Sequence, residues 1–223
     1  MHLSYATLTS MRFRDALQLL LSLLLPERPI DSRLRSIGVS ELSAHLALTE
    51  HLGILSLFSY RDELVREMLL ALKFRGKRRM AELFGTILHE VVLEDLAEKK
   101  LFTSFLRPLL VAIPLSPARL RERGYNQTLL IAEMFARLAG EEIELAPDAL
   151  IKIKNTPAQT SLGEREAREQ NVRGAFAANA PRVTGRDIIL LDDIVTTGST
   201  LTEAYAALRA AGARQIFPIA IAH

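Results

Sequence analysis

The chain has 223 residues, 49 % of them hydrophobic and 24 % charged, the mix of an ordinary globular protein rather than a disordered or fibrous one. A formal net charge of +2 points to no class of partner, so any case for a nucleic acid rests on where the charges sit. With no cysteine, the chain excludes disulfides, thiol catalysis, iron–sulfur clusters and thiolate zinc sites.

The first apolar run, Ala16 to Leu25 (ALQLLLSLLL), is about half the length that spans a bilayer, and it stops at Pro26 without a small-residue cleavage site. It is expected as a buried helix rather than an export signal or membrane insertion, which places the protein in the cytoplasm. Residues 26–50, with Pro26, Pro29 and Gly38, give no clear assignment; otherwise the first hundred residues read as helical. Val65, Met68, Leu69 and Leu72 recur at helical spacing, as do Met80, Leu83, Phe84, Ile87, Leu88 and Val91, with Gly76 as the break between the two helices. The basic cluster Lys73, Arg75, Lys77, Arg78 and Arg79 surrounds that break and reads first as a solvated face.

From Leu109 the pattern changes to short apolar runs alternating with helices. Strands are expected at 109–113, 149–153, 187–191 and 215–221. A helix with Ile131, Met134, Phe135 and Leu138 on one side follows the first and closes at Gly140. Another, with Leu201, Ala204, Tyr205 and Leu208 in phase, follows the third and ends near Gly212. Uninterrupted apolar strands joined by helices imply an α/β fold, a parallel sheet with flanking helices. Ligands then sit at the carboxyl ends of the strands, in the loops after Ile113, Ile153 and Leu191. After Ile113, Arg119, Arg121 and Arg123 alternate in a loop entering a helix, where guanidinium forks suit a pyrophosphate as well as solvent. Gly124 permits a turn there and Asn126 is a candidate cap. The long polar stretch from Lys152 to Phe176, with Lys154, Gln159, Arg165, Arg168 and Arg173, reads as a lid or disordered loop, or in its GEREAREQN centre as a solvated helix.

The segment Ile188–Thr200, IILLDDIVTTGST, carries the most chemistry. A buried strand delivers Asp192 and Asp193 at its carboxyl end, and the turn Thr196-Thr197-Gly198-Ser199-Thr200 opens a helix. Glycine lets backbone amides converge on an anion, the helix N-terminus adds partial positive charge, and the hydroxyls donate. Two carboxylates just upstream suit vicinal hydroxyls or a hydrated divalent cation, so the whole describes a sugar-phosphate site. Thr200 as N-cap with Glu203 completing a capping box is compatible with that use. No Walker-type phosphate loop and no G-x-G-x-x-G after a strand occurs, and a receiver domain would need several strands after the acids where one follows.

This segment resembles the phosphoribosyl-pyrophosphate (PRPP) motif of the type I phosphoribosyltransferases. Residues 112–127 (AIPLSPARLRERGYNQ), 156–176 (TPAQTSLGEREAREQNVRGAF) and 59–85 are similar to the ComF family, proteins associated with natural competence. The resemblance implies a type I phosphoribosyltransferase-like domain over 59–223, preceded by a mainly helical region over 1–58. It implies PRPP with Mg²⁺ as ligand: ribose hydroxyls on Asp192 and Asp193, the 5′-phosphate on Thr196 to Thr200, and pyrophosphate on Arg119, Arg121 and Arg123. Asp192, Asp193 and Arg123 would then be the catalytic set if a nucleophile displaces pyrophosphate at ribose C1. A mobile loop closing over PRPP makes Arg173 the preferred arginine of the long stretch. The competence association suggests that Lys73 to Arg79 contact single-stranded DNA, with Phe74 interleaved.

The chain departs from its relatives in two ways. Many ComF proteins carry an N-terminal zinc ribbon built from cysteines; here no zinc is expected, because the histidines (His2, His45, His51, His89, His223) show no ligand spacing. In purine phosphoribosyltransferases an acid four residues after the first acid of the motif acts on the base, whereas here Thr196 stands there and cannot take up a proton. Purine salvage is therefore disfavoured and the acceptor is open. The alternatives are a non-catalytic PRPP or nucleotide sensor that handles single-stranded DNA, and a PRPP-binding regulator without DNA affinity. Oligomeric state is not readable from the sequence.

Overall fold

The structure is a computed structural model that describes residues 29–99, 107–154 and 174–223. Ala16–Leu25 and most of the long polar stretch, including Gln159, Arg165, Arg168 and Arg173, lie outside the described residues. The chain divides into two compact units, residues 1–37 and 38–223. In the first, α1 (Pro29–Ser36) carries Asp31 in its first turn and Arg33 and Arg35 in its last, the charge order that the helix dipole favours.

The second unit is built on a six-stranded sheet. Its strands are β1 (Leu46–His51), β2 (Ile54–Phe58), β3 (Leu109–Ala112), β4 (Glu144–Leu145), β7 (Asp187–Ile194) and β8 (Gln215–Ala222), in the order β1-β2-β8-β7-β3-β4. All neighbours are parallel except the hairpin β1–β2. The α/β fold with a mostly parallel sheet follows from runs such as Ile188 to Leu191, buried on both faces and therefore apolar without alternation. Its helices are α2 (Val39–Ser43), α3 (Glu63–Arg75), α4 (Arg78–Lys99), α5 (Pro117–Arg123), α6 (Gln127–Ala139), α7 (Ala180–Val183) and α8 (Ser199–Ala210). The remaining strands, β5 (Leu150–Lys152) and β6 (Phe176–Ala178), form a separate antiparallel pair.

The helical reading of α3 and α4 holds, and its cause is visible. Asp62 caps α3 by accepting from Val65 N, and Gly76 ends it at φ 63°, a left-handed conformation that glycine adopts without a Cβ clash. Leu64, Val65, Met68, Leu69 and Leu72 form the buried face of α3. Gly85 lets α4 approach α6 closely, since a Cβ there would stand 2.6 Å from Met134 Cβ and 2.9 Å from Ile131 O.

Four expectations are corrected. Residues 51–58, within the stretch read as helical, form the end of β1 and all of β2, while the rest of β1 falls in the stretch that gave no assignment; the run ILSLF is buried at nearly every position, and so short a run lacks a period that separates strand from helix. The strand expected at 149–153 exists as β5, but Ile151 and Ile153 are exposed, so it borders the site as a hairpin arm instead of joining the main sheet. Leu138 and Tyr205 are exposed, leaving Ile131 and Phe135 on α6 and Leu201, Ala204 and Leu208 on α8 to face the core. Arg119, Arg121 and Arg123 stand on a two-turn helix, α5, which Ser116 caps and Pro117 starts, rather than in a loop.

Candidate functional site

The parallel strands converge on the end of β7. Asp192 and Asp193 do not emerge into solvent there. Both lie within the strand, 7 % and 8 % exposed, and β7 continues to Ile194 opposite Ala222 of β8. The two carboxylates lie close enough to interact with each other, yet each has partners of its own. Asp193 Oδ2 accepts a 2.9 Å hydrogen bond from Gln127 Nε2, at the start of α6, and its Oδ1 accepts from Ile194 N. Asp192 Oδ1 accepts from Asp193 N, and its charge acts on Lys152 of β5.

These environments move the ionisation equilibria. Burial, reinforced by the adjacent Asp193 charge, pushes the Asp192 carboxyl well above the usual carboxylate range. Burial lowers the Lys152 ammonium, and Arg119 pushes it the same way while Asp192 opposes them. Burial also lowers the Arg123 guanidinium, with Asp193 opposing, which leaves it a cation at any working pH. The site therefore balances two buried acids against Lys152, Arg119 and Arg123.

Arg123 reaches Asp193 through Gln127: its Nη1 donates to Gln127 Oε1 at 2.5 Å, while the amide nitrogen of the same side chain donates to Asp193. Gln127 is buried, so its bond to Asp193 is shielded from water, whereas the Arg123 end of the relay is only part-buried. Asn126 caps α6 by accepting from Thr128 N, and its Nδ2 donates to Ile113 O, which ties the start of α6 to the end of β3. On α5, Arg119 and Arg123 are four residues apart and share a face; Arg121, exposed, projects from the other side. The structure thus brings Arg119 and Arg123 to the site and leaves Arg121 outside it.

Beyond Ile194 the chain makes the turn that opens α8. Gly198 holds the N-cap position at φ 75° without a side chain to cap the helix; Ser199 N donates to Thr197 Oγ1 at 3.4 Å, and the helix opens from a turn edged by Thr196, Thr197, Ser199 and Thr200. Thr197 Oγ1 and Ser199 Oγ lie 3.0 Å apart and set the shape of the turn. Asp192 borders the same hollow, next to residues 194–201. The expected Thr200–Glu203 capping box does not form. The helix is capped two residues earlier, at Gly198, and Glu203 instead accepts from Gly174 N, joining α8 to the chain just before β6.

The basic cluster is joined to this site. Tyr125, just after α5, donates to Leu72 O at 2.5 Å and accepts from Gly76 N at 3.1 Å, which docks the α3–α4 turn against α5. Phe74, 61 % exposed, carries the Arg123 guanidinium 5.5 Å from its ring centre and Lys73 Nζ at 5.5 Å. Lys77, Arg78 and Arg79 are exposed beside it, while Arg75 pairs with Glu67 at 3.3 Å.

Sequence reasoning gave no role to Gln127, Lys152 or Tyr125. Gln127 ends the segment 112–127, but its partner is 66 positions away. Lys152 was one cation in a polar stretch, and only the β5–β6 pairing sets its Nζ over Phe176, 5.3 Å from the ring centre, within reach of Asp192.

Comparison with known proteins agrees with the geometry. Residues 128–222 match the model of the phosphoribosyl transferase domain, from α6 through β8. Among relatives, "DNA utilization protein YhgH" of Escherichia coli K12 is 31 % identical over 132 residues, 59 % of this chain and 55 % of that protein. "Competence protein F" of Haemophilus influenzae is 33 % identical over 109 residues, 48 % of this chain and 46 % of that one. "Competence protein ComFC" of Bacillus subtilis is 29 % identical over 146 residues, 66 % and 53 % respectively. The chain spans about half the length of the curated relatives it matches.

Proposed function

We propose that this chain, a type I phosphoribosyltransferase-like protein of the ComF family, binds PRPP with Mg²⁺ and transfers the phosphoribosyl group to a nucleophile with release of pyrophosphate. The observation that carries this reading is the succession on one edge of the sheet: two buried carboxylates on β7, then an open helix N-terminus within a hydroxyl-rich turn. The turn would hold the 5′-phosphate with main-chain amides and hydroxyls, and Asp192 and Asp193 would meet the ribose diol. Arg119 and Arg123 lie on the β3 side, where a departing pyrophosphate would gain most from fixed positive charge. Gln127 keeps Asp193 and Arg123 in register while the charges redistribute.

Among the described residues no three acids or histidines cluster into a metal cage. That suits Mg²⁺, which keeps much of its water and binds through one or two carboxylates plus phosphate oxygens. Asp192 and Asp193 would hold it, and bound there it would neutralise charge on the pyrophosphate. Calorimetry of PRPP with Mg²⁺ tests the reading: saturable heat is expected for the natural sequence, with at least a tenfold loss in Asp193→Asn. No heat, or an unchanged Asp193→Asn, sinks it. Pyrophosphate release across a panel of bases, ammonia and amines then separates a transferase from a binding protein.

A second reading, single-stranded DNA handling, is favoured by Phe74. An exposed ring flanked by Lys73 and Arg123 and continued by Lys77, Arg78 and Arg79 combines a stacking platform with phosphate contacts. Oligonucleotide affinity should fall steeply with salt and drop in Phe74→Ala and in the Lys77→Ala, Arg78→Ala pair. Affinity indifferent to all three would remove this reading and leave a PRPP-binding regulator or enzyme.

A further inference from the structure

A second hollow lies between α8 and the β1–β2 turn, outside the site described above. Ile54 of β2, Ile216 and Pro218 of β8 and Leu201 of α8 give it an apolar floor. Thr202 and Tyr205 of α8 border it on one side, and Leu52 and Gly53 of the turn on the other. It holds about 330 Å³, within the range of small-molecule sites. Leu52 and Ile54 also reach the phosphate turn: a Cβ at Gly198 would stand 3.4 Å from Ile54 Cδ1 and 3.6 Å from Leu52 Cδ1. These two side chains separate the hollow from that turn, and among the described residues Leu201 alone borders both.

The β1–β2 turn is built against local preference. Leu52 and Gly53 are the two residues between the paired His51 and Ile54, and both have positive φ, 55° and 71°. Asn-Gly or Asp-Gly is the usual choice for such a turn, because a leucine Cβ crowds the backbone in a left-handed conformation. Burial does not offset that strain, since Leu52 is 69 % exposed. Tyr205 keeps the helical phase of Leu201, Ala204 and Leu208, yet it is 39 % exposed. A strained leucine and an aromatic ring thus stand, from two different elements, over one apolar floor. A local rule broken without a gain in the core marks a functional position.

We propose that this slot binds a small neutral aromatic molecule, a fused ring of naphthalene size bearing a hydroxyl group, stacked on Tyr205 and held by Leu52. The lining contains no charged side chain, so an ionised ligand would lose its hydration without gaining a partner. The apolar floor and the Tyr205 ring suit a flat hydrocarbon surface, and a hydroxyl on the ligand can bond that of Thr202 or Tyr205. The volume admits two fused rings but not a helix, which is about 10 Å across with its side chains. The slot therefore fits a free molecule rather than a docked helix of another chain. This inference does not depend on phosphoribosyl transfer.

The probe is 2-naphthol, a neutral phenol whose fluorescence reports binding to the full chain. Saturable binding with a Kd below about 1 mM is expected. Leu52→Asn and Tyr205→Ala should each weaken it by about fivefold or more, while Tyr205→Phe, which keeps the ring, should stay within about twofold. Both side chains are exposed, so neither change empties the core. The anionic counterpart, 2-naphthoate, should bind about tenfold more weakly or worse. Saturating PRPP with Mg²⁺ should leave the naphthol in place. Absence of saturable binding overturns the proposal, as does indifference to Leu52→Asn and Tyr205→Ala, or equal binding of the naphthoate. Displacement by PRPP overturns it as well, because it puts the ring in the site already described. A chain that gives no PRPP heat yet binds the naphthol sinks the phosphoribosyl reading and leaves this one standing.

Discussion

Asp192 illustrates how a single residue couples stability to function. Burial first, and the Asp193 charge second, hold its carboxyl well above the usual range. In the unfolded chain the same group ionises near pH 4. Between that pH and the raised folded value, the folded state holds the proton more tightly, so stability falls as the pH climbs. Asp192→Asn removes the ionisation while Oδ1 can still accept from Asp193 N. Its melting temperature should exceed that of the natural sequence at pH 7, the gap should close toward pH 4, and PRPP affinity should fall at least tenfold. Melting curves at the two pH values check this; a gap of the same size at both would show that the buried charge is not the cause.

At the scale of elements, two backbone positions should respond in opposite directions. Gly85→Ala drives a Cβ into Met134 and Ile131 O across the α4–α6 contact and should cost about 1–3 kcal/mol, read as a lower midpoint in urea. Leu52, in the β1–β2 turn, holds φ 55° ahead of Gly53 at φ 71°, a conformation that costs a leucine about 1–2 kcal/mol. Leu52→Asn supplies the residue that two-residue hairpin turns favour and should raise the urea midpoint by part of that amount; a drop would mean that Leu52 packing over Gly198 matters more. The same elements show where the sequence speaks and where it does not. β7 was legible because double-sided burial leaves no polar residue from Ile188 to Leu191, and the phosphate turn because glycine and hydroxyls at a helix start have few other uses. β2 was not, since five buried residues carry no period, and neither was the face of α8, where Tyr205 keeps helical phase yet stays exposed. Asp192 and Asp193 could be named from the chain, but their burial, and the Gln127 relay to Arg123, depend on α6 packing beside β7.

Across the whole second unit, positive charge is unevenly spread, although the formal net charge of the chain is only +2. Arg119 and Arg123 face the acids of β7, and Arg123 also lies over Phe74, from which Lys73, Lys77, Arg78 and Arg79 extend the cationic surface away from the sheet. One guanidinium therefore belongs to both the pyrophosphate side of the site and the stacking platform. If an oligonucleotide uses that platform, the two polyanions compete for Arg123, and the competition must be reciprocal because it is a property of the equilibrium. Saturating PRPP with Mg²⁺ should weaken a single-stranded oligonucleotide by about fivefold or more at low salt, and the oligonucleotide should weaken PRPP by the same factor. Fluorescence anisotropy and calorimetry measure the two halves. In Arg123→Ala both affinities should fall and the coupling should vanish, whereas Lys77→Ala should weaken the oligonucleotide and leave PRPP unchanged. Independent binding of the two ligands to the natural sequence would place the oligonucleotide on another surface.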